Sequence, residues 1–274
     1  MNTKVKYGVD EGEGLSPSLW GKIGLDEFLL AGNNEGLAKF DDFYDGVTFA
    51  TTVAQNGFVT YQDTGVTIKG LTTSYTGELQ IAGNDADNDE GSIQGPGGGV
   101  CPAAIISTTA GSEYETMFEA RVKKASIADD ACAIFCGLAT IGGASADILA
   151  DDTGALKAAH SFVGFQTLHA AGEVLVAQYQ KTGETAVSVA ATAATLVADT
   201  YVKLGLHFDG DHTLRYYVDG EIVGTVDVAA ATVFPEDIAL APLLATKVGA
   251  AAESKVTMDW MCIARRRKNT GLRA

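Results

Sequence analysis

The stretch that decides the fold is YVKLGLHFDGDHTLRYYVDGEIVGTV, residues 201–226. Apolar residues occupy alternate positions on both sides of Asp209-Gly210-Asp211, which is the period of a strand with one buried face. Asp219-Gly220 is a two-residue loop of the kind that favours a type I′ turn, because both positions tolerate positive φ. We therefore predict that the chain turns at residues 209–211 and forms a β-hairpin across Asp219-Gly220.

Short alternating segments of this kind recur along most of the chain. Tyr114 to Val122 alternates apolar with polar residues, so we predict one face toward the core and one, carrying Glu115 and Glu119, toward solvent. Cys132 to Leu138 is apolar on both faces, which is typical of a central strand. The last segment is Lys255 to Ala264, and four of its residues are predicted to face the core: Val256, Met258, Trp260 and Cys262. Gly, Asp and Asn separate these segments, a pattern that indicates an all-β sandwich.

Composition excludes several classes of protein. The chain has 274 residues, of which 46% are hydrophobic and 20% charged, so global disorder is excluded. Lys and Arg number 19 against 35 Asp and Glu, and the formal net charge of -16 argues against nucleic-acid binding. We expect no signal peptide, since residues 1–8 lead into acidic and glycine residues without an apolar stretch. We expect no membrane segment, since Pro96 and Pro102 interrupt the longest uncharged run. We expect four reduced, mostly buried thiols and no metal site among them: Cys101, Cys132, Cys136 and Cys262.

Three regions differ in their sequence pattern. Residues 1–40 contain glycines that break any period, and we interpret them as an extended N-terminal arm, either mobile in isolation or ordered by packing against its own domain or a neighbour. Residues 41–264 show no interior domain boundary. Residues 265–274 form a basic C-terminal tail, for which we expect either free solvation or a contact with an acidic neighbour.

The order of the segments resembles the concanavalin A-like jelly roll of lectin-like and laminin-G-like domains over roughly residues 41–264. Tyr201 to Asp209, followed by Leu214 to Gly220, is similar to a strand pair of such domains. The glycine-rich arm leading into Phe40-Asp41-Asp42-Phe43, the sandwich and the basic tail together resemble tailed-bacteriophage structural proteins of the head-decoration or cement type. The implied fold class is all-β, a concanavalin A-like jelly-roll β-sandwich with an extended N-terminal arm.

The phage resemblance implies a non-enzymatic virion structural protein that binds and stabilises the outer capsid surface, assembled in the host cytoplasm. The implied partners are the major capsid protein and further copies of the chain, with a trimer as one option. We expect the arm and the tail to make the contacts, through Trp20, Leu25, Phe28, Leu29, Arg265, Arg266, Arg267 and Lys268. A carbohydrate-binding module of a fibre or spike, or another glycan-binding protein, is the alternative, because aromatics such as Trp20, Tyr44 and Tyr217 could stack on sugars if they are exposed.

Two carboxylate patterns bear on chemistry. A glycosidase of this fold would need E-x-D-x-x-E or E-x-D-x-E on one strand face, but Met117 replaces the central Asp between Glu115 and Glu119. We therefore expect no catalytic residue. A second pattern is an acidic loop with the ligand types that calcium prefers, at Asp85, Asp87, Asp89 and Glu90. Because Glu90 takes the place of the sharp-turn glycine of an EF-hand, we expect an exposed acidic turn, with calcium as the minority alternative and no other cofactor.

Overall fold

The computed structural model describes residues 14–21, 36–43, 48–49, 58–73, 76–84, 86–95, 104–105, 114–250 and 254–267. β-Strands dominate this part of the chain, and helix is nearly absent from it. The strands pair antiparallel in two sheets that pack face to face, so the predicted all-β sandwich is confirmed.

The single described α-helix, α1, is Pro17–Trp20, and one 3-10 turn spans Gly143–Ser145. The first strands are β1 Gly36–Asp41, β2 Thr48–Phe49, β3 Val59–Gln62, β4 Thr67–Thr73, β5 Thr76–Ala82, β6 Glu90–Gln94 and β7 Ala104–Ile105. The later strands are β8 Tyr114–Lys124, β9 Cys132–Thr140, β10 Phe162–Leu168, β11 Ala171–Gln180, β12 Val187–Thr195, β13 Val202–Asp209, β14 Thr213–Val218, β15 Glu221–Asp227, β16 Ala239–Val248 and β17 Lys255–Arg267. Within the described ranges, no helix has the length and apolar content needed to cross a bilayer.

The two sheets differ in strand order. In the described part of the chain, the nine-stranded sheet runs β15-β14-β13-β8-β17-β5-β4-β2, and β1 also pairs with β17. The eight-stranded sheet runs β12-β11-β10-β9-β16-β6-β3, and β7 also pairs with β16. Strands distant in sequence therefore lie side by side, and β17 occupies the middle of its sheet as the partner of β8, β5 and β1.

The predicted hairpin across Asp219-Gly220 is confirmed as β14 and β15. Asp219 has φ 49° and Gly220 has φ 84°, the two positive angles of a type I′ turn. The Asp219 carboxylate also accepts a hydrogen bond from the Lys203 backbone N–H at 2.9 Å, which fixes the turn against β13. Local sequence therefore determines this corner of the sheet.

The main core lies between the two sheets. Its largest fully buried side chain is that of Tyr216, whose ring meets the ring of Phe165 edge to face with centroids 5.4 Å apart. The Tyr216 hydroxyl donates to the Gln178 carbonyl oxygen at 2.8 Å, so one residue joins both sheets by packing and by a hydrogen bond. Burying each such large side chain contributes about 1.5–3 kcal/mol to stability.

Strand β9 is central in its sheet, between β10 and β16, as predicted. Cys132 and Cys136 face the main core and are free, buried thiols. Burial raises the pKa of the Cys136 thiol to about 12, so it remains protonated and unreactive at neutral pH. Cys262 is also free and buried, whereas Cys101 lies outside the described residues.

Strand β8 departs from the prediction on one face. Phe118, Ala120 and Val122 belong to the main core, as expected. The opposite face was expected to be solvated, yet Met117 is 2% exposed and Glu119 is 0% exposed. That part of the prediction is wrong, because the N-terminal segment covers this face.

Strand β17 contains a β-bulge that the alternation pattern does not show. Met258 pairs with Val122 and Trp260 pairs with Arg121, so Asp259 is an extra residue with no partner position of its own. Residues beyond the bulge exchange faces: Met261 belongs to the main core, while Cys262 belongs to a cluster on the outer face. The prediction that Trp260 and Cys262 face the core is therefore wrong.

Two predicted region boundaries fall inside strands. Strand β1 crosses the boundary at residue 40, and its six residues pair in register with β17. Strand β17 extends to Arg267, so Arg265 to Arg267 belong to a sheet rather than to a solvated tail. Leu25, Phe28, Leu29 and Lys268 lie outside the described residues.

Candidate partner-binding face

The segment Gly14–Gly21 lies across the outer face of the nine-stranded sheet. Pro17 begins α1 with its φ already suited to a helix, and the turn closes with the Gly21 N–H donating to the Pro17 carbonyl oxygen at 2.8 Å. Leu19 is 2% exposed and Trp20 is 6% exposed. Trp20, expected to contact a partner, is therefore buried against its own sheet.

Glu119 is the polar centre of this contact. Its Oε2 accepts hydrogen bonds from the Trp20 indole Nε1–H at 2.7 Å and from the Ser16 backbone N–H at 3.0 Å. Burial raises the pKa of the Glu119 carboxyl, and these bonds oppose the shift only in part. The side chain expected to face solvent is instead a buried acceptor that holds the N-terminal segment in place.

Two glycines give this contact its shape. A Cβ atom at Gly205 would lie 2.9 Å from Leu19 Cδ2, and one at Gly220 would lie 3.1 Å from Ser18 Oγ. The Ser18 hydroxyl also donates to the Gly220 carbonyl oxygen at 2.5 Å. Tyr217, considered above as an exposed aromatic, is 5% exposed beneath this segment. The sheet surface and the segment are therefore complementary at the level of single atoms.

The expected contact residues at the end of β17 pack onto their own sheet. Arg266 Nε donates to Glu115 Oε2, while His207 Nε2 lies 2.8 Å from Glu115 Oε1. Burial raises the pKa of the Glu115 carboxyl, but the bonds from His207 and Arg266 outweigh it, so the net shift is downward. The Arg265 guanidinium lies over the Tyr114 ring, with Cζ 4.5 Å from its centroid. Arg265 and Arg266 therefore contact side chains of their own sheet.

Aromatic and cationic side chains alternate beside this contact. Phe40 is 52% exposed and stacks on Trp260 with ring centroids 6.1 Å apart. The Tyr201 ring is approached by Arg121 Cζ at 4.1 Å and by Lys123 Nζ at 4.4 Å. Of the aromatics considered for sugar stacking, Tyr44 lies outside the described residues. The exposed aromatic in this part of the face is Phe40, which the sequence did not single out.

The outer face of the nine-stranded sheet has a different charge balance from the rest of the protein. Its described strands place seven of the 19 basic residues outward: Lys69, Arg121, Lys123, Lys203, Arg215, Lys255 and Arg266. They place six of the 35 acidic residues there: Glu78, Glu115, Glu119, Asp209, Asp227 and Asp259. A chain of net charge -16 therefore has one broad face that is close to neutral.

The outer face of the eight-stranded sheet is largely closed by the segment 141–161. Its residues form an apolar cluster with β9, β10 and β16: Phe135, Ala139, Ala144, Ile148, Leu149, Leu156, Phe162, Leu243 and Ala245. The Gln94 side chain anchors the start of the segment by accepting from the Gly142 N–H at 2.8 Å and donating to the Thr140 carbonyl oxygen at 2.9 Å. These strands therefore do not line an open cleft.

A buried ion cluster holds the same segment down. Lys247 Nζ lies 2.7 Å from Asp147 Oδ1, 2.8 Å from Asp151 Oδ1 and 3.5 Å from Glu90 Oε2. Glu90, 0% exposed, accepts from the Ile148 and Leu149 backbone N–H groups at 2.9 Å each. Burial, together with the neighbouring Asp147 carboxyl, raises the pKa of Glu90 to about 9. Burial acts in the same direction on Asp147, but hydrogen bonds involving Glu90 and Lys247 lower its pKa to about 2.

Glu90 therefore departs from the exposed acidic turn that was expected at residues 85–90. Its carboxyl group points into the protein, whereas Asp87 is exposed and Asp85 lies outside the described residues. Among the residues that the structure describes, no group of three or more His, Cys, Asp and Glu side chains is placed to hold a metal ion.

Several structurally important polar residues were missed by sequence reasoning. Lys124 is 2% exposed and its ammonium donates to the carbonyl oxygens of Cys132 at 2.8 Å and Gly172 at 2.7 Å. A signal existed, because Lys124 continues the core-facing alternation of β8. Lys247 also interrupts an otherwise apolar strand. Glu119 offered no such signal, since its partners Ser16 and Trp20 lie about a hundred residues away in sequence.

Comparisons with known proteins agree on architecture. No protein-family model and no curated protein matches the chain. A protein of unknown function from Shewanella oneidensis MR-1 superposes with a TM-score of 0.54 at 14% identity, over 88% of this chain and 90% of that one. An endo-acting O-glycanase from the human gut microbiota gives 0.55 at 9% identity, over 82% and 97%.

A glycoside hydrolase family 16 protein from Bacteroides ovatus, in complex with a G4G4G3G product, gives a TM-score of 0.51 at 12% identity, over 82% of this chain and 99% of that one. Identities this low establish shared architecture only. The chain folds as a concanavalin A-like jelly-roll β-sandwich, as expected from the order of its strands.

Proposed function

We propose that the protein is a non-enzymatic virion structural protein that binds the outer surface of a phage capsid as a decoration or cement protein. This proposal rests on the difference in charge between one sheet face and the rest of the molecule. One broad strand face carries seven basic against six acidic side chains and is close to neutral, while the rest of an acidic chain repels other anionic surfaces. Such a face suits docking against an acidic partner surface in one orientation.

The environment of the carboxylates supports a non-enzymatic role. A glycosidase of the two-carboxylate kind needs an acid and a base or nucleophile facing the same sugar, about 5–9.5 Å apart. The Glu119 carboxylate already accepts hydrogen bonds from Ser16 and Trp20. The Glu115 carboxylate is likewise bonded to His207 and Arg266. In the Glu90 cluster, Glu90 is buried and accepts from the Ile148 and Leu149 N–H groups, while Asp147 and Asp151 are paired with Lys247.

Two measurements on particles test the capsid proposal. Mass spectrometry of density-gradient-purified virions should find this chain at a copy number comparable with the major capsid protein. Added to particles that lack it, the purified chain should co-sediment, and binding should weaken as salt rises. Arg215→Glu should reduce binding more than Lys181→Glu, which changes the net charge equally on the eight-stranded sheet side. Absence from virions, or equal binding by both variants, would contradict the proposal.

Glycan binding is the second candidate, and the exposed Phe40 ring favours it. An aromatic face supported from below by Trp260 can stack on a sugar ring with little loss of side-chain freedom. The fold is shared with structures of carbohydrate-active proteins, which supports this candidate at the level of architecture. A glycan array should give a signal that Phe40→Ala removes and that Ile222→Ala, a change at another exposed apolar residue, leaves intact.

A further inference from the structure

Lys247 lies on the central strand β16 of the eight-stranded sheet, on the face that the segment 141–161 covers. It follows by two residues Ala245, a member of the apolar cluster on that face. Strand β16 runs between β6 and β9, and Lys247 pairs directly with Glu90 of β6. Both side chains are 0% exposed. The sheet therefore holds an amine and a carboxyl group side by side and out of contact with solvent.

The covering segment brings a second carboxyl group to the same amine. Asp147 Oδ1 lies 2.7 Å from Lys247 Nζ, although the two residues are 100 positions apart in sequence. The Asp147 carboxyl carbon is one bond further away, so the nitrogen stands at about the 3–3.5 Å from which reacting atoms combine. Tertiary structure alone creates this juxtaposition of a nucleophile and an acyl carbon.

Glu90 is placed to act as the acid. Its two oxygens accept hydrogen bonds from the Ile148 and Leu149 backbone N–H groups, which fix the side chain. Burial, together with the neighbouring Asp147 carboxyl, raises the pKa of Glu90 to about 9, so this group keeps its proton at neutral pH. In the hydrogen bond between the two carboxyl groups Glu90 is therefore the donor. Asp147 is held between an amine and a proton donor.

Two neighbours offer alternative partners. Lys157 Nζ lies 2.9 Å from Asp147 Oδ2, but its side chain is 38% exposed. Asp151 Oδ1 lies 2.8 Å from Lys247 Nζ, but its side chain is 63% exposed. Hydration stabilises the charged forms of both, which neither attack nor accept attack, whereas burial disfavours charge on Lys247. The reactive pair is therefore Lys247 with Asp147.

We propose that Lys247 and Asp147 join through an intramolecular amide bond, with Glu90 donating and accepting the protons. The ion cluster described above is the state before this reaction. The step occurs once in each chain, on the chain's own side chains, and needs neither substrate nor cofactor.

The atoms balance without a further reactant. One proton of the Lys247 ammonium moves along the 2.7 Å hydrogen bond to Asp147, which leaves a neutral amine and a neutral carboxyl group. The amine nitrogen attacks the carboxyl carbon and forms the C–N bond, while Glu90 hydrogen-bonds the oxygen that gains charge. Glu90 then gives its proton to the departing hydroxyl and takes one from the nitrogen. The C–O bond breaks, one water leaves, and Glu90 ends protonated as it began.

Such a bond would fasten the segment 141–161 to the centre of its sheet. It would also close a covalent loop between residues 147 and 247, which restricts the unfolded chain in the way that a disulfide does. A permanent fastening of this kind suits a protein with a structural role.

Mass spectrometry of the purified full chain, kept folded overnight at neutral pH, tests the proposal. The wild type should be lighter than its sequence mass by one water, and a digest should contain a branched peptide that joins residues 147 and 247. Glu90→Gln keeps the shape of the side chain but cannot pass the protons, so it should retain the full mass. A wild type that also retains the full mass would overturn the proposal.

Matched lysine variants identify the nucleophile. Lys247→Arg should retain the full mass, whereas Lys157→Arg, a change at the other amine beside Asp147, should still lose one water. A branch at Lys157 or at Asp151 would overturn the assignment. So would a loss of water without any branched peptide, as cyclisation at Asp219-Gly220 would give. The wild-type digest decides the question even if a variant fails to fold.

Discussion

Replacing Trp20 by Ala tests whether the N-terminal segment is held by the sheet in the way described. Removing a buried Trp side chain costs about 3–5 kcal/mol. Ordering the eight residues 14–21 already costs on the order of 1–2 kcal/mol per residue in backbone entropy, so the net docking free energy is a small difference between large terms. We therefore expect the segment to detach while the sandwich stays folded.

Cys262 provides the readout. It is 0% exposed on the outer face beneath this segment, whereas Cys132 and Cys136 lie between the sheets. In a Cys101→Ser background, Trp20→Ala should raise the rate of Cys262 alkylation by about a hundred- to a few thousandfold, since each 1.4 kcal/mol changes the open population tenfold. Cys132 and Cys136 should remain protected.

The control is Val197→Ala, a truncation at a 61% exposed position outside the cluster that Trp20 forms with Cys262, which should leave Cys262 protected. Unchanged Cys262 labelling in Trp20→Ala would refute the covering role of the segment. If Cys132, Cys136 and Cys262 were alkylated at the same rate, the whole domain would be unfolding. That result would refute the claim that the segment detaches while the sandwich stays folded.

Three further predictions concern buried charge and backbone conformation. Because burial raises the pKa of Glu119, the folded state binds the Glu119 proton more tightly than the unfolded chain does. Urea titrations should therefore show that the wild type gains stability relative to Glu119→Gln as the pH falls from 8 toward 4.5. A stability difference that stays constant with pH would contradict this. Lys247→Ala removes a buried ammonium that is hydrogen-bonded to Asp147 and to the Leu149 carbonyl oxygen, and it should cost about 1.5–3 kcal/mol in urea unfolding, against less than about 1 kcal/mol for the partly exposed Lys157→Ala. Gly220→Ala should destabilise more than Gly183→Ala, since both have φ +84° but only the first would press on Ser18; equal thermal shifts would count against that contact.

What the sequence predicts well is local. The Asp219-Gly220 turn follows from the chemistry of two adjacent residues, and the burial of Leu204, Leu206 and Phe208 follows from strict alternation within one strand. The central position of β9 follows from its two apolar faces, because only a strand covered on both sides can bury them. These features need no knowledge of distant parts of the chain.

What the sequence predicts poorly depends on distant contacts or on one extra residue. Glu119 looks solvated until Trp20 is placed over it. Asp259, the extra residue of the bulge, exchanges the sheet faces on which the later side chains of β17 lie. No composition rule predicts such a bulge in advance. Glu90 looks like part of an acidic loop until Lys247, far along the chain, draws it inward. In each case a long-range partner or an inserted residue overrides a sound local pattern.

The central place of β17 also has a consequence for how the chain acquires its fold during synthesis. Pairing Gly36 with Arg266 closes a loop of more than two hundred residues, at an entropic cost of about 5 kcal/mol that grows only slowly with length. Within the described ranges, β8 with β13 on one side of the nine-stranded sheet and β5 with β4 on the other are joined through β17. Until residues 255–267 have left the ribosome, both halves present unpaired edges, so folding waits for the end of this stretch and should be slow for a domain of this size.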